Sequence, residues 1–144
     1  MRVSGILASK GSTVATITPE APVGEAAERL RQLGIGALVV SADGRTIQGI
    51  ISERDIVYRL ASDGAAVLDT PVSSVMTAEV RTCRLEDRVE ELMGEMTEHR
   101  TRHFPVEVDG RLAGIVSIGD VVKWRVTELE EERRHLTDYI VSGR

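Results

Sequence analysis

The chain has 144 residues, with 18 basic and 23 acidic side chains and a formal charge of −5. That length holds one domain or two half-sized lobes sharing a core, and the acidic balance without a long basic run argues against a surface that tracks nucleic-acid phosphates. No apolar stretch approaches a membrane span or a signal core, and the lone Cys83 excludes an internal disulfide, so the expected class is a soluble cytoplasmic protein.

The first predicted element is a strand at Val14-Ala15-Thr16-Ile17, β-branched and closed by Thr18-Pro19. Pro22-Val23 opens a helix whose apolar residues Val23, Ala26, Ala27, Leu30 and Leu33 follow one-sided helical spacing, and Gly34 stops it. Ala37 to Val40 reads as a buried strand, Asp43-Gly44 as a hairpin turn, and Ile47 to Ile51 as the partner strand. Ser52 starts a second helix through Ile56, Val57 and Leu60.

A stretch containing Gly64 and Pro71 follows, and then the order repeats. It gives a strand around Val80-Arg81-Thr82, a helix from about Leu85 to Glu98, a strand at Phe104-Pro105-Val106, a turn at Asp109-Gly110, a strand from Leu112 to Val116, and a helix. From Val121 to about Val141 there is no Gly or Pro. Leu129, Leu136 and Ile140 mark a thin apolar stripe there, suited either to packing on its own lobe or to a second subunit. The expected fold class is α/β, two β-α-β-β-α units packed together with a long C-terminal helix. The divisions are 5–62 for the first repeat, 63–74 for a linker, 75–125 for the second repeat and 126–144 for a helical extension.

The repeat is written in the residues themselves. Gly49-Ile50-Ile51-Ser52-Glu53-Arg54-Asp55-Ile56-Val57 returns as Gly114-Ile115-Val116-Ser117-Ile118-Gly119-Asp120-Val121-Val122. At a spacing of 66, Val14 matches Val80, Thr16 matches Thr82, Glu20 matches Glu86, and Val40 matches Val106. A repeat of this length means two copies of one small unit that cannot bury its core alone, with any function lying between them.

Ser52 and Asp55, like Ser117 and Asp120, have the spacing of a helix capping box, which requires no ligand. The same carboxylate, in the first turn of a helix after a Gly-led strand, is also placed to accept hydrogen bonds from ribose hydroxyls, with helix amides and the Ser hydroxyl toward phosphate. His99, His103 and His135 have no Cys or carboxylate partners at metal-ligand spacing. Cys83, on a strand, reads as a buried small hydrophobe because no base adjoins it. Neither of the glycine-rich phosphate loops, Gly-x-x-x-x-Gly-Lys or Gly-x-Gly-x-x-Gly, occurs.

The doubled Gly-h-h-Ser-x-x-Asp-h-h phrase, where h is apolar, resembles the cystathionine β-synthase (CBS) domain, found as tandem pairs called Bateman modules. So do Lys10-Gly11, Gly34 to Val40, Val75-Met76-Thr77 and Ser117 to Lys123, which look like stand-alone bacterial members. The resemblance covers about residues 5–125 and implies two repeats related by pseudo-two-fold symmetry. It also implies a regulatory module without catalysis that binds AMP, ADP, ATP or NAD(H) in the clefts between copies. Asp55 and Asp120 would hold ribose, and Ser52, Ser117, Arg54, Arg102 and His103 would lie near phosphate. Main chain at Thr16-Ile17 and Thr82-Cys83, with apolar strand residues, would enclose adenine, and Ala37, Pro105 and Ile118 would be further nucleotide-binding residues. Arg54 becomes Gly119 in the second copy and Arg102-His103 stand against Gly36-Ala37, so two equivalent sites are not expected. Partners implied are the nucleotide, a second copy in a homodimer, and an effector protein, with no nucleic acid, membrane or metal. The alternative is a structural dimerisation module without a nucleotide.

Overall fold

The chain opens with a helix that has no counterpart among the predicted elements. Helix α1 (Val3–Lys10) buries Val3, Ile6 and Leu7. These side chains join the core of the second repeat, not of the repeat that follows them in sequence. The computed structural model describes residues 1–143, and no helix among them is long and apolar enough to cross a membrane.

The first repeat then runs β1 (Thr16–Ile17), α2 (Val23–Leu33), β2 (Ala37–Val40), β3 (Gly49–Ser52) and α3 (Glu53–Asp63). β1 lies parallel to β2, and β2 pairs antiparallel with β3, Ala37 opposite Ser52. Gly34 ends α2 at φ +63, a left-handed conformation that glycine adopts without strain. The partner strand begins at Gly49 and not Ile47, because residues 41–48 form a loop instead of a tight hairpin. The Asp43 carboxylate gathers that loop, accepting from the Arg45 and Thr46 amides at 2.8 and 2.7 Å, and the Gln48 side chain accepts from the Ala42 amide.

Residues 65–74 are two 3₁₀ turns, and Val67, Val72 and Val75 complete the first core. The second repeat follows as α4 (Val89–His99), β4 (His103–Val108), β5 (Arg111–Ser117) and α5 (Ile118–Val141). Asp109 and Gly110, at φ 51 and 77, make the tight turn between β4 and β5. The expected α/β architecture of two repeats with a long final helix is the one observed.

Two second-repeat elements are shorter than the sequence suggests. No strand forms at Val80-Arg81-Thr82; only Cys83 bridges to β4, its amide donating to Pro105 O and its carbonyl accepting from Glu107. In the first copy the Val39 amide donates to Ala15 O. Pro105 stands at that position and has no N–H, so the equivalent bond cannot form. Helix α4 starts at Val89 and not near Leu85, because Leu85 and Asp87 carbonyls accept from Ser4 and Val3 of the N-terminal segment.

Those bonds have equivalents in the first repeat, where Val72 donates to Ala21 O and Ser73 to Pro19 O. Residues 71–76 and 2–7 thus do the same task in the two halves, closing a core that the five-element unit leaves open. The repeated glycines exist for this closure. A Cβ on Gly49 would sit 2.9 Å from the Thr77 carbonyl oxygen, and one on Gly114 would sit 2.7 Å from a Leu7 methyl. Beyond Trp124, α5 leaves the body, and Leu136, Tyr139 and Ile140 are 63, 65 and 69% exposed.

Gly49→Ala should therefore cost about 1–3 kcal/mol, the range for overpacking a filled site. Gly114→Ala should cost less, because a leucine side chain can shift where a backbone carbonyl cannot. Denaturant midpoints compare the two, and a Gly49→Ala variant as stable as wild type would contradict the closure argument.

Candidate functional site

In each repeat the last strand residue is a serine in extended conformation, and the helix starts on the next residue. Ser52 takes its place at φ −112, ψ 163, and its Oγ accepts from the Asp55 amide. Asp55 Oδ2 accepts in return from the Ser52 amide at 2.9 Å and the Ser52 hydroxyl at 3.0 Å. Ser117 and Asp120 repeat this reciprocal cap with contacts of 2.9 and 3.1 Å. The capping role is thus real in both copies, and in both it engages only Oδ2.

The two carboxylates differ in what else surrounds them. Asp55 lines a cleft of about 530 Å³ between the repeats. Gly36, Ile50, Ser52, Glu53, Arg54, Val57 and Tyr58 join it from the first half, and Thr77, Glu79, Val80, Arg81 and Arg100 to His103 face them from the second. The size falls in the range of small-ligand sites. Asp120 instead receives the Lys10 ammonium at 2.7 Å.

Of the residues singled out from the sequence, the cleft brings together Ser52, Arg54, Asp55, Arg102 and His103. Ser117, Ile118 and Asp120 occupy the equivalent place at the start of α5. Ile17 and Cys83 are turned into the cores at 4 and 2% exposure, and Ala37 and Pro105 are buried residues of β2 and β4. The Thr16 carbonyl accepts from the Arg29 guanidinium, and the Thr82 hydroxyl lies 3.2 Å from Glu107 Oε2. The main chain at Ile17 and Cys83 serves the sheets.

Arg81 and Arg100 are cleft residues that motif reading passed over. Repeat alignment would have found them, since Ala15 and Gly34 stand at their places in the first copy. Arg100 holds φ 53, the left-handed position that Gly34 fills in α2. A non-glycine there is strained, and such positions gather at functional sites.

The helix amides contribute less than expected. Glu53 N–H is taken by the Gly36 carbonyl and Asp55 N–H by Ser52 Oγ, so an anion must be met chiefly by arginine side chains. His103 packs across the repeat boundary: a Cβ on Gly36 would lie 3.2 Å from its ring. Burial holds its imidazole below the ordinary 6.5, with Glu53 opposing. Burial also pushes the Cys83 thiol up to about 12, helped by Asp87 and Glu95, so it stays protonated and poorly nucleophilic. Among the described residues no group of three or more His, Cys, Asp or Glu is placed to hold a metal ion.

Comparison with known proteins matches this geometry to a family. The CBS domain model matches residues 8–62 and 72–127. A mitochondrial CBS domain-containing protein of Arabidopsis thaliana is 36% identical over 98% of this chain and 72% of its own. The crystal structure of a CBS-domain-containing protein from Agrobacterium tumefaciens superposes with a TM-score of 0.84 and 48% identity, over 87% of this chain and 99% of that one. A CBS domain protein of Pyrobaculum aerophilum, solved in complex with AMP, has a TM-score of 0.72 and 27% identity over 83% of this chain and 89% of that one. Two matched segments, each with its own core and its own Ser-Asp cap, establish that the chain belongs to the CBS-domain family and is a tandem CBS pair.

Proposed function

We propose that this CBS pair is a non-catalytic sensor that binds an adenosine nucleotide in the Asp55 cleft and passes its occupancy to an effector protein. One observation carries the reading: a carboxylate with Oδ1 uncommitted lies in the same cleft as Arg54, Arg81, Arg100 and Arg102. The carboxylate suits ribose hydroxyls, the guanidinium groups suit phosphate, and Ile50, Val57 and Val80 supply apolar wall for a base. The AMP complex of the Pyrobaculum relative supports an adenosine ligand. Four arginines against Glu53, Asp55 and Glu79 favour ADP or ATP, which carry more phosphate charge, over AMP.

Asp55→Ala should weaken ATP binding by about 1.5–3 kcal/mol, the range for hydrogen bonds to a charged group. Arg102→Ala should cost more affinity for ATP than for adenosine, with a gap that narrows as salt rises. Calorimetry on the folded variants decides both. Unchanged affinity in Asp55→Ala would leave capping as its role and favour the structural dimerisation module.

His103 makes the binding pH-dependent. In the unliganded chain its depressed pKa means that its share of stability is complete above the ordinary 6.5 and is lost as pH falls from there toward the lowered value. Phosphate in the cleft favours the imidazolium and raises that value, so binding takes up a proton. ATP affinity should rise as pH falls through the liganded imidazole's value toward the lower unliganded one. His103→Gln should flatten the rise, and an identical pH profile in that variant would remove His103 from the phosphate site.

The assembly we infer is a homodimer. Val57 on α3 and Val122 on α5 are equivalent residues, 58 and 54% exposed, and Val126 and Leu129 extend the apolar surface along α5. One self-complementary face of this kind suits a symmetric pair. Light scattering should give a dimer for the full chain, and a version ending at Thr127 tests the tail containing Leu136 and Ile140. A full-length monomer at micromolar concentration would exclude the dimer.

A further inference from the structure

The two Ser-Asp caps are equivalent in sequence, yet a side chain from elsewhere already occupies one of them. Lys10, the last residue of α1, sends its ammonium 2.7 Å from Asp120 Oδ2 and 2.8 Å from the Ile115 carbonyl oxygen. The pair is partly exposed, with side chains 32 and 22% exposed; burial pushes the Asp120 carboxyl up, and the contact with Lys10 outweighs it and holds the carboxyl below its ordinary range. The ammonium sits on Oδ2, the capping oxygen, and is itself held by a second acceptor, so a ribose hydroxyl reaching the uncommitted Oδ1 would meet a carboxylate whose charge is already paired.

The surroundings of Asp120 have diverged in the same direction. Every basic residue of the Asp55 cleft has a small uncharged counterpart in the other copy: Arg54 answers to Gly119, Arg81 to Ala15, Arg100 to Gly34, Arg102 to Gly36 and His103 to Ala37. The arginines have been kept on one side only, while the other carries lysines, Lys10 and, in the place of Tyr58, Lys123. On the other, the carboxylate carries an internal cation.

We infer that Lys10 takes the place of a ligand at Asp120, so that the chain holds one nucleotide, at Asp55, and uses the second cap to fasten α1 onto the second repeat. The inference rests on the nucleotide reading of the Asp55 cleft. The lock has a structural use as well: α1 supplies Val3, Ile6 and Leu7 to the second core, and Lys10 secures its far end.

Calorimetric titration of the full chain with ATP should give one site per chain. Asp55→Asn should weaken that site at least tenfold, and Asp120→Asn, which keeps a capping oxygen, should leave it within about twofold while lowering the melting temperature. Lys10→Ala uncovers Asp120, and titration with adenosine, which needs no phosphate cations, should then find a second site that disappears in Lys10→Ala/Asp120→Ala. Two ATP sites in wild type, an Asp120→Asn loss as large as that of Asp55→Asn, or no second adenosine site in a folded Lys10→Ala chain would each overturn the inference. No binding of ATP or adenosine to wild-type chain that melts cooperatively would instead overturn the nucleotide reading beneath it.

Discussion

Closure of each half core by a segment outside the β-α-β-β-α unit is the constraint on which the rest of the structure depends. A small sheet with helices on one side leaves apolar surface open. Here it is sealed by Val72, Val75 and Met76 in the first half and by Val3, Ile6 and Leu7 in the second. The seal is made by main-chain hydrogen bonds as well as packing, since Val72 and Val3 donate to equivalent carbonyls of Ala21 and Asp87. Side-chain burial on the order of 1.5–3 kcal/mol per large aliphatic residue makes such a segment a substantial part of a small domain's stability. It also explains why Gly49 and Gly114 recur, because a β-carbon at either place would collide with the sealing segment.

The same closure accounts for the inequality of the two caps. The first sealing segment continues from its own repeat and leads through Thr77, Glu79 and Arg81 into the wall of the Asp55 cleft. The second comes from the N-terminus and ends in Lys10, whose ammonium settles on Asp120. Duplicated sequence therefore folds into one carboxylate that faces a cleft and one that is ion-paired. The capping box is common to both, since it satisfies helix-end groups whatever else the carboxylate does.

Burial and charge divide the remaining work. Residues whose main chain completes the sheets, such as Ile17 and Cys83, are committed to the cores. Residues at strand ends and helix starts remain available, and the basic ones among them gather on one side of the boundary between repeats. His103 sits at that boundary against Gly36, where burial lowers the pKa of its imidazole.

The duplicated phrase determined the tandem α/β fold, the family and the Ser-Asp caps, because capping and strand-helix periodicity are local properties that any copy must repeat. Composition and spacing likewise indicated the long final helix and the burial of Cys83. The placement of α1 in the second core, the loss of a strand opposite Pro105 and the ion pair between Lys10 and Asp120 were decided only by the tertiary structure. Each depends on a contact between residues distant in the chain, 110 apart for Lys10 and Asp120, which no local pattern encodes. Arg81 and Arg100 lie between these cases. Their difference from Ala15 and Gly34 is visible in the sequence, but only the fold brings them into one cleft with Asp55.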